Sequence, residues 1–176
     1  MSKPRITLIL GGARAGKSRF AEEAAEAAGG GLVYIATAEA GDAEMVERIR
    51  HHRARRDERW RTIEEPLDLA DRLATEARPG RAVLVDCLTL WLSNVMLAGR
   101  DLEQETAKLL NVLASAAGPV VLVANEVGLG IVPDNALARA FRDAAGRLNQ
   151  EVAALASRVV FVAAGLPLVL KDEPRR

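Results

Sequence analysis

Five short runs of Val, Ile, Leu and Ala, at 6–10, 32–37, 82–88, 120–125 and 159–164, do not alternate with polar residues. A strand with one face in water alternates, whereas a strand covered on both faces does not. The runs therefore call for a sheet sandwiched between two layers. Segments with helical spacing lie between them, at 17–28, 43–56, 66–78, 89–98, 102–116 and 135–157. Gly29-Gly30-Gly31 stops the first, Pro66 stands at a first helical position, and Leu137, Phe141, Leu148, Val152 and Leu155 line one face of the last. Strands alternating with helices imply crossovers and a mostly parallel sheet with helices on both faces, a three-layer α/β architecture. The apolar piece at 166–170 adds an edge strand, and 171–176 reads as a loose polar tail. No repeat or linker divides the 176 residues, so one domain over 1–176 is expected.

The first junction carries a motif. Gly11-Gly12-Ala13-Arg14-Ala15-Gly16-Lys17-Ser18 fits G-x-x-x-x-G-K-[ST] between a buried-type strand and a helix. The glycines let successive N–H groups turn inward on phosphate oxygens, and the helix start adds positive potential. Lys17 reaches β- and γ-phosphates, and the Ser18 hydroxyl is a ligand for Mg²⁺. With the strand pattern this predicts a P-loop NTPase-like fold. The strand ends Asp86-Cys87-Leu88-Thr89 and Asn125-Glu126-Val127-Gly128 lack the Asp-x-x-Gly and Asn-Lys-x-Asp of a switch GTPase.

Two carboxylates close apolar strands. Ligands sit at the carboxyl ends of an open parallel sheet, so Asp86 is aimed at the phosphates and suits Mg²⁺, with a helix N-cap as the alternative. Glu126 reads equally as a second carboxylate near the metal or a general base, and as a solvated loop acid. Cys87 is read as a small buried residue. The two histidines, His51-His52, sit among Arg48, Arg50, Arg53, Arg55, Arg56, Arg59 and Arg61. Three readings stand: a solvated basic face, a nucleic-acid patch, and a nucleophile whose neutral ring is favoured by clustered arginines. Balanced charge, 24 basic against 24 acidic residues, and 3% aromatics weigh against the second.

Composition sets the expected setting. A single cysteine excludes a disulfide framework and suits a reducing compartment. The run at 6–10 is too short for a secretory signal, and the uncharged stretch at 109–125 falls short of a membrane span. A cytoplasmic protein with no membrane insertion is expected.

Further segments extend the pattern: Tyr34-Ile35-Ala36-Thr37-Ala38, Arg48-Ile49-Arg50-His51-His52-Arg53 and Trp60-Arg61-Thr62-Ile63-Glu64. Ala124-Asn125-Glu126-Val127-Gly128-Leu129-Gly130-Ile131-Val132-Pro133 and Phe141-Arg142-Asp143-Ala144-Ala145-Gly146-Arg147-Leu148-Asn149-Gln150 follow. With the phosphate loop, in this order over nearly the whole chain, they resemble the bifunctional adenosylcobinamide kinase/adenosylcobinamide-phosphate guanylyltransferases of cobalamin biosynthesis. The resemblance implies phosphorylation of adenosylcobinamide by ATP or GTP. It then implies transfer of GMP from GTP, through a guanylylated histidine matching His51, to adenosylcobinamide phosphate. It implies nucleotide contacts at Gly11, Gly12, Ala13, Arg14, Ala15, Gly16, Lys17, Ser18, Ala36, Thr37, Ala38, His52, Arg53, Ala54, Arg55, Glu64 and Asp86. It implies a homotrimer as well; Lys17 is expected to act with His51 as catalytic, and Ser18 and Asp86, as read above, to take Mg²⁺. Ala15 stands where the family pattern has Ser, and Asp86 where Glu is also accepted. Neither change removes a group the chemistry needs. A P-loop kinase without the transferase step, and a nucleotide-regulated nucleic-acid-binding module, are the rival functions.

Overall fold

The computed structural model describes residues 5–38 and 57–173. Among them a seven-stranded sheet forms the middle layer. Strand β1 (Ile6–Gly11) is followed by helix α1 (Lys17–Ala28) and strand β2 (Gly31–Ala36). Then come β3 (Trp60–Glu64), α2 (Leu69–Glu76), β4 (Arg81–Asp86), α3 (Leu88–Leu97), α4 (Leu102–Ala114) and β5 (Val120–Asn125). The chain ends with α5 (Ala136–Leu155), β6 (Arg158–Ala163) and β7 (Leu166–Asp172). The strand order is β3-β2-β4-β5-β1-β6-β7, parallel except for β7 against β6.

Burial follows from strand parity. Ile6, Leu8 and Leu10 face one side with Val83, Val85, Val120 and Leu122, packed by Leu73, Trp91, Leu113 and Val152 of α2 to α5. Ile9, Tyr34, Leu84 and Val123 face the other, under Ala21 and Ala25 of α1. The expected three layers are present, and the five apolar runs are the strands β1, β2, β4, β5 and β6.

Three expectations need correction. The strand β3 was not foreseen: only Trp60 is buried in it, and charged residues flank and interrupt it. The helix expected from Pro66 begins at Leu69. The carbonyl of Pro66 accepts from Asn94 Nδ2 (3.2 Å) and that of Leu67 from Trp91 Nε1 (2.9 Å), so both are committed to α3 and not to a first helical turn. Lys171 and Asp172 are not loose tail but the end of β7. Lys171 Nζ donates to the carbonyls of Ala153 and Ala154, both at 3.1 Å, at the open end of α5. The helix expected over 43–56 lies outside the described residues. Among the described residues, no helix is long and apolar enough to cross a membrane.

Candidate functional site

The phosphate loop leaves β1 at Gly11 and enters α1 at Gly16. Both glycines are required by close approach. A Cβ on Gly11 would stand 2.3 Å from the Val162 carbonyl oxygen, and one on Gly16, at φ +99°, would stand 3.2 Å from Gly165 Cα. Arg14 holds a left-handed backbone at φ 56°, a conformation costly for a residue with a side chain. Gly12, Ala13 and Arg14 are exposed and Ala15 half-buried. The first-turn N–H groups of α1 have no partner within the helix, which leaves them for an anion.

Lys17 is buried and its Nζ donates to the Gly12 carbonyl at 2.5 Å, so it folds back over the loop. Burial pushes its ammonium below its usual range, against the opposing pull of Cys87 and Asp86. Ser18 Oγ donates to Asp86 Oδ2 at 2.9 Å, joining the start of α1 to the end of β4. A hydroxyl beside a carboxylate is the hard-oxygen donor set that Mg²⁺ takes. Tyr34, on the neighbouring β2, donates its hydroxyl to the same oxygen at 3.1 Å. Sequence reading missed Tyr34 because a tyrosine inside an apolar run reads as filling. The available signal was its shared parity with Ala36 at the strand end.

The register brings other expected residues together. Ala36 pairs with both Glu64 and Asp86, so the three share one row at the carboxyl ends of β3, β2 and β4. Thr37 is fully buried. Its Oγ1 donates to the Cys87 carbonyl (2.7 Å) and accepts from the Cys87 N–H (2.8 Å), while its carbonyl accepts from Asn94 Nδ2 at 2.8 Å. Its side chain thus ties β2 to the end of β4. Ala38 follows, half-buried. Burial pushes the Cys87 thiol up to about 12, which keeps it a core residue and not a thiolate. Glu126 follows β5. Its N–H donates to the Gly11 carbonyl at 3.0 Å, and its Oε1 accepts from the Gly128 N–H at 2.7 Å. His51, His52, Arg53, Ala54 and Arg55 lie outside the described residues.

A mostly parallel sheet with this loop after its inner strand β1, and a Ser–carboxylate pair between the start of α1 and the end of β4, defines a P-loop nucleotide-binding protein. Solved structures agree at the level of the fold. The RadB recombinase superposes with a TM-score of 0.56 at 14% identity, covering 99% of this chain and 84% of that one. The flagellar accessory protein FlaH of Methanocaldococcus jannaschii gives 0.54 at 12% identity, covering 97% and 80%.

Sequence relatives are more specific. The family model described as cobinamide kinase / cobinamide phosphate guanyltransferase matches residues 7–170. The bifunctional adenosylcobalamin biosynthesis protein CobP of Pseudomonas aeruginosa is 54% identical, covering 95% of this chain and 98% of that protein. The protein of the same bifunctional description, CobU, from Escherichia coli is 41% identical, covering 94% and 99%. The chain belongs to the cobinamide kinase / cobinamide phosphate guanyltransferase family.

Proposed function

We propose that this chain carries both activities of its family, phosphorylating adenosylcobinamide with ATP or GTP and then converting the phosphate to adenosylcobinamide-GDP with GTP. The observation that carries the reading is the Ser18–Asp86 pair at the mouth of the phosphate loop, in a chain of this family. The loop amides and Lys17 hold the triphosphate, with contacts from Gly11 to Ser18 in the loop and from the row Ala36, Glu64 and Asp86. Mg²⁺, held by Ser18 and Asp86, would supply positive charge to the phosphate oxygens. Thr37 and Ala38, beyond that row, and His52, Arg53, Ala54 and Arg55 complete the proposed nucleotide site.

In the kinase step the acceptor hydroxyl attacks the γ-phosphorus. A new O–P bond forms, the bond to the β-phosphate oxygen breaks, and the hydroxyl proton is released. In the transferase step a neutral ring nitrogen of His51 attacks the α-phosphorus of GTP, an N–P bond forms and pyrophosphate leaves. A phosphate oxygen of adenosylcobinamide phosphate then attacks the same phosphorus. The N–P bond breaks and free His51 returns. Dividing the transfer lets one site serve two acceptors in turn. The single domain over 1–176, a homotrimer, a cytoplasmic setting and the absence of nucleic-acid partners belong to the same proposal.

The test is labelling with GTP carrying radiophosphorus at the α position. Wild type is expected to take an acid-labile, base-stable label and His51→Ala none. An unlabelled wild type that binds GTP would leave a kinase alone.

A further inference from the structure

Two of the segments that carry the family likeness, 124–133 and 141–150, lie outside the proposed nucleotide contacts, and they meet at one place. Between α5 and the β6–β7 edge lies a cavity of about 420 Å³, lined among others by Glu126, Gly146, Asn149, Gln150, Leu170 and Lys171. Leu10, the residue before the phosphate loop, forms part of its wall. Glu126 is bonded to Gly11 itself, so cavity and loop share a boundary.

Three observations mark this as a place built for a ligand. Asn149 is 92% buried, being 8% exposed, and its carboxamide makes no hydrogen bond to any described residue. An apolar occupant that stripped its remaining water would leave it unpaired, which is costly. Gly146 interrupts the 20-residue helix α5, where glycine is unfavourable, and a Cβ there would meet nothing within 4 Å. The helix therefore gives up stability where the cavity needs room. Glu126 Oε1 is held by Gly128, while its Oε2 accepts from no described residue.

The lining also says what fits. An anion is disfavoured: Glu126 is negative, and the ammonium of Lys171 is already bonded to Ala153 and Ala154. An apolar group would leave Asn149 unpaired. A primary carboxamide offers two donors and one acceptor, which Asn149, Gln150 and the open Glu126 oxygen match. Cobinamide is rimmed with such side chains. The geometry points to this cavity as the subsite for a carboxamide arm of the corrinoid acceptor, with Leu170 at its apolar rim. This rests on the proposed function and places the acceptor on the α5 side of the phosphate loop.

The test is equilibrium dialysis of the full chain against cobinamide, followed by its visible absorbance, beside calorimetric titration with GTP. Gly146→Leu fills the open space, and Asn149→Leu removes the polar group at similar size. Both are expected to bind cobinamide at least tenfold more weakly, with GTP affinity and α-phosphate labelling within twofold of wild type. A purely structural role for Asn149 predicts no selective loss of cobinamide, since leucine of similar size fills the same space and the amide bonds no described residue. Wild-type cobinamide affinity in both variants, each retaining a native melting transition, overturns the subsite. A wild type that binds GTP but neither binds nor phosphorylates cobinamide overturns the proposed function, and the subsite with it.

Discussion

At the scale of single residues, the site is held by oxygens that share partners. Asp86 Oδ2 accepts from both Ser18 and Tyr34, so the carboxylate is fixed from helix α1 and strand β2 before any cation arrives. Tyr34→Phe removes one of these bonds without opening a cavity. A single hydrogen bond to a charged group contributes about 1.5–3 kcal/mol, less where water can substitute. The expected outcome is nucleotide affinity about tenfold weaker in Mg²⁺ and unchanged in chelator, read with a fluorescent GTP analogue. Equal weakening in both conditions would assign Tyr34 to the packing under α1 instead. Lys17, Ser18 and Asp86 were legible in the sequence because each sits at a position fixed by motif or strand end. Tyr34 and Asn149 were not, because their significance depends on which neighbour the fold supplies: a carboxylate for one, an empty space for the other.

At the scale of elements, the sheet edge beyond β2 depends on one acid. Glu76, at the end of α2, has a side chain only 4% exposed and pairs through Oε2 with Arg61 of β3 and with Arg81 of β4 at 2.7 Å. Burial alone would raise its carboxyl, yet the two guanidiniums hold it below the usual range. Glu76→Gln should cost about 2 kcal/mol at neutral pH in denaturant unfolding. A carboxyl whose pKa is lowered by folding stabilises fully above its unfolded pKa and less as pH falls through the folded value. The gap between wild type and variant should therefore narrow in acid. A gap independent of pH would mean that Glu76 acts by shape and not by charge. The same strand shows why the sequence was partly opaque. Strands inside the sheet are apolar without alternation because both faces and both edges are covered. The edge strand β3 has one partner strand and side chains such as Arg61 that reach sideways to charge, so its apolar signal shrinks to Trp60. The start of α2 was misjudged for a related reason: side chains of α3 take the carbonyls that local preference assigned to a helical turn.

At the scale of the whole molecule, the two tryptophans divide the fold between them. Trp91 lies in the core under α2 to α5, and Trp60 in the core under α1, edge-to-face with Tyr34 at a centroid distance of 6.4 Å. One domain over the whole chain requires both layers to melt together. Trp60→Phe and Trp91→Phe, each leaving one fluorescent reporter, are expected to give coincident denaturant transitions that match far-UV circular dichroism. Separate midpoints would divide the chain into two cooperative units. Two-faced burial of β1 is what couples the layers, and that much was legible in the apolar runs before any coordinates.

The nucleotide loop is synthesised well before the hairpin that finishes it. Its strand is flanked by β5 and β6, and the turn at Gly165 donates an N–H to Ala15 at 2.9 Å and leaves no room for a side chain on Gly16. A ribosome carrying this chain thus holds the triphosphate motif without the walls that give it shape until the residues around Gly165 have been made. The growing polypeptide cannot engage nucleotide through the finished loop until the closing hairpin has emerged and folded back.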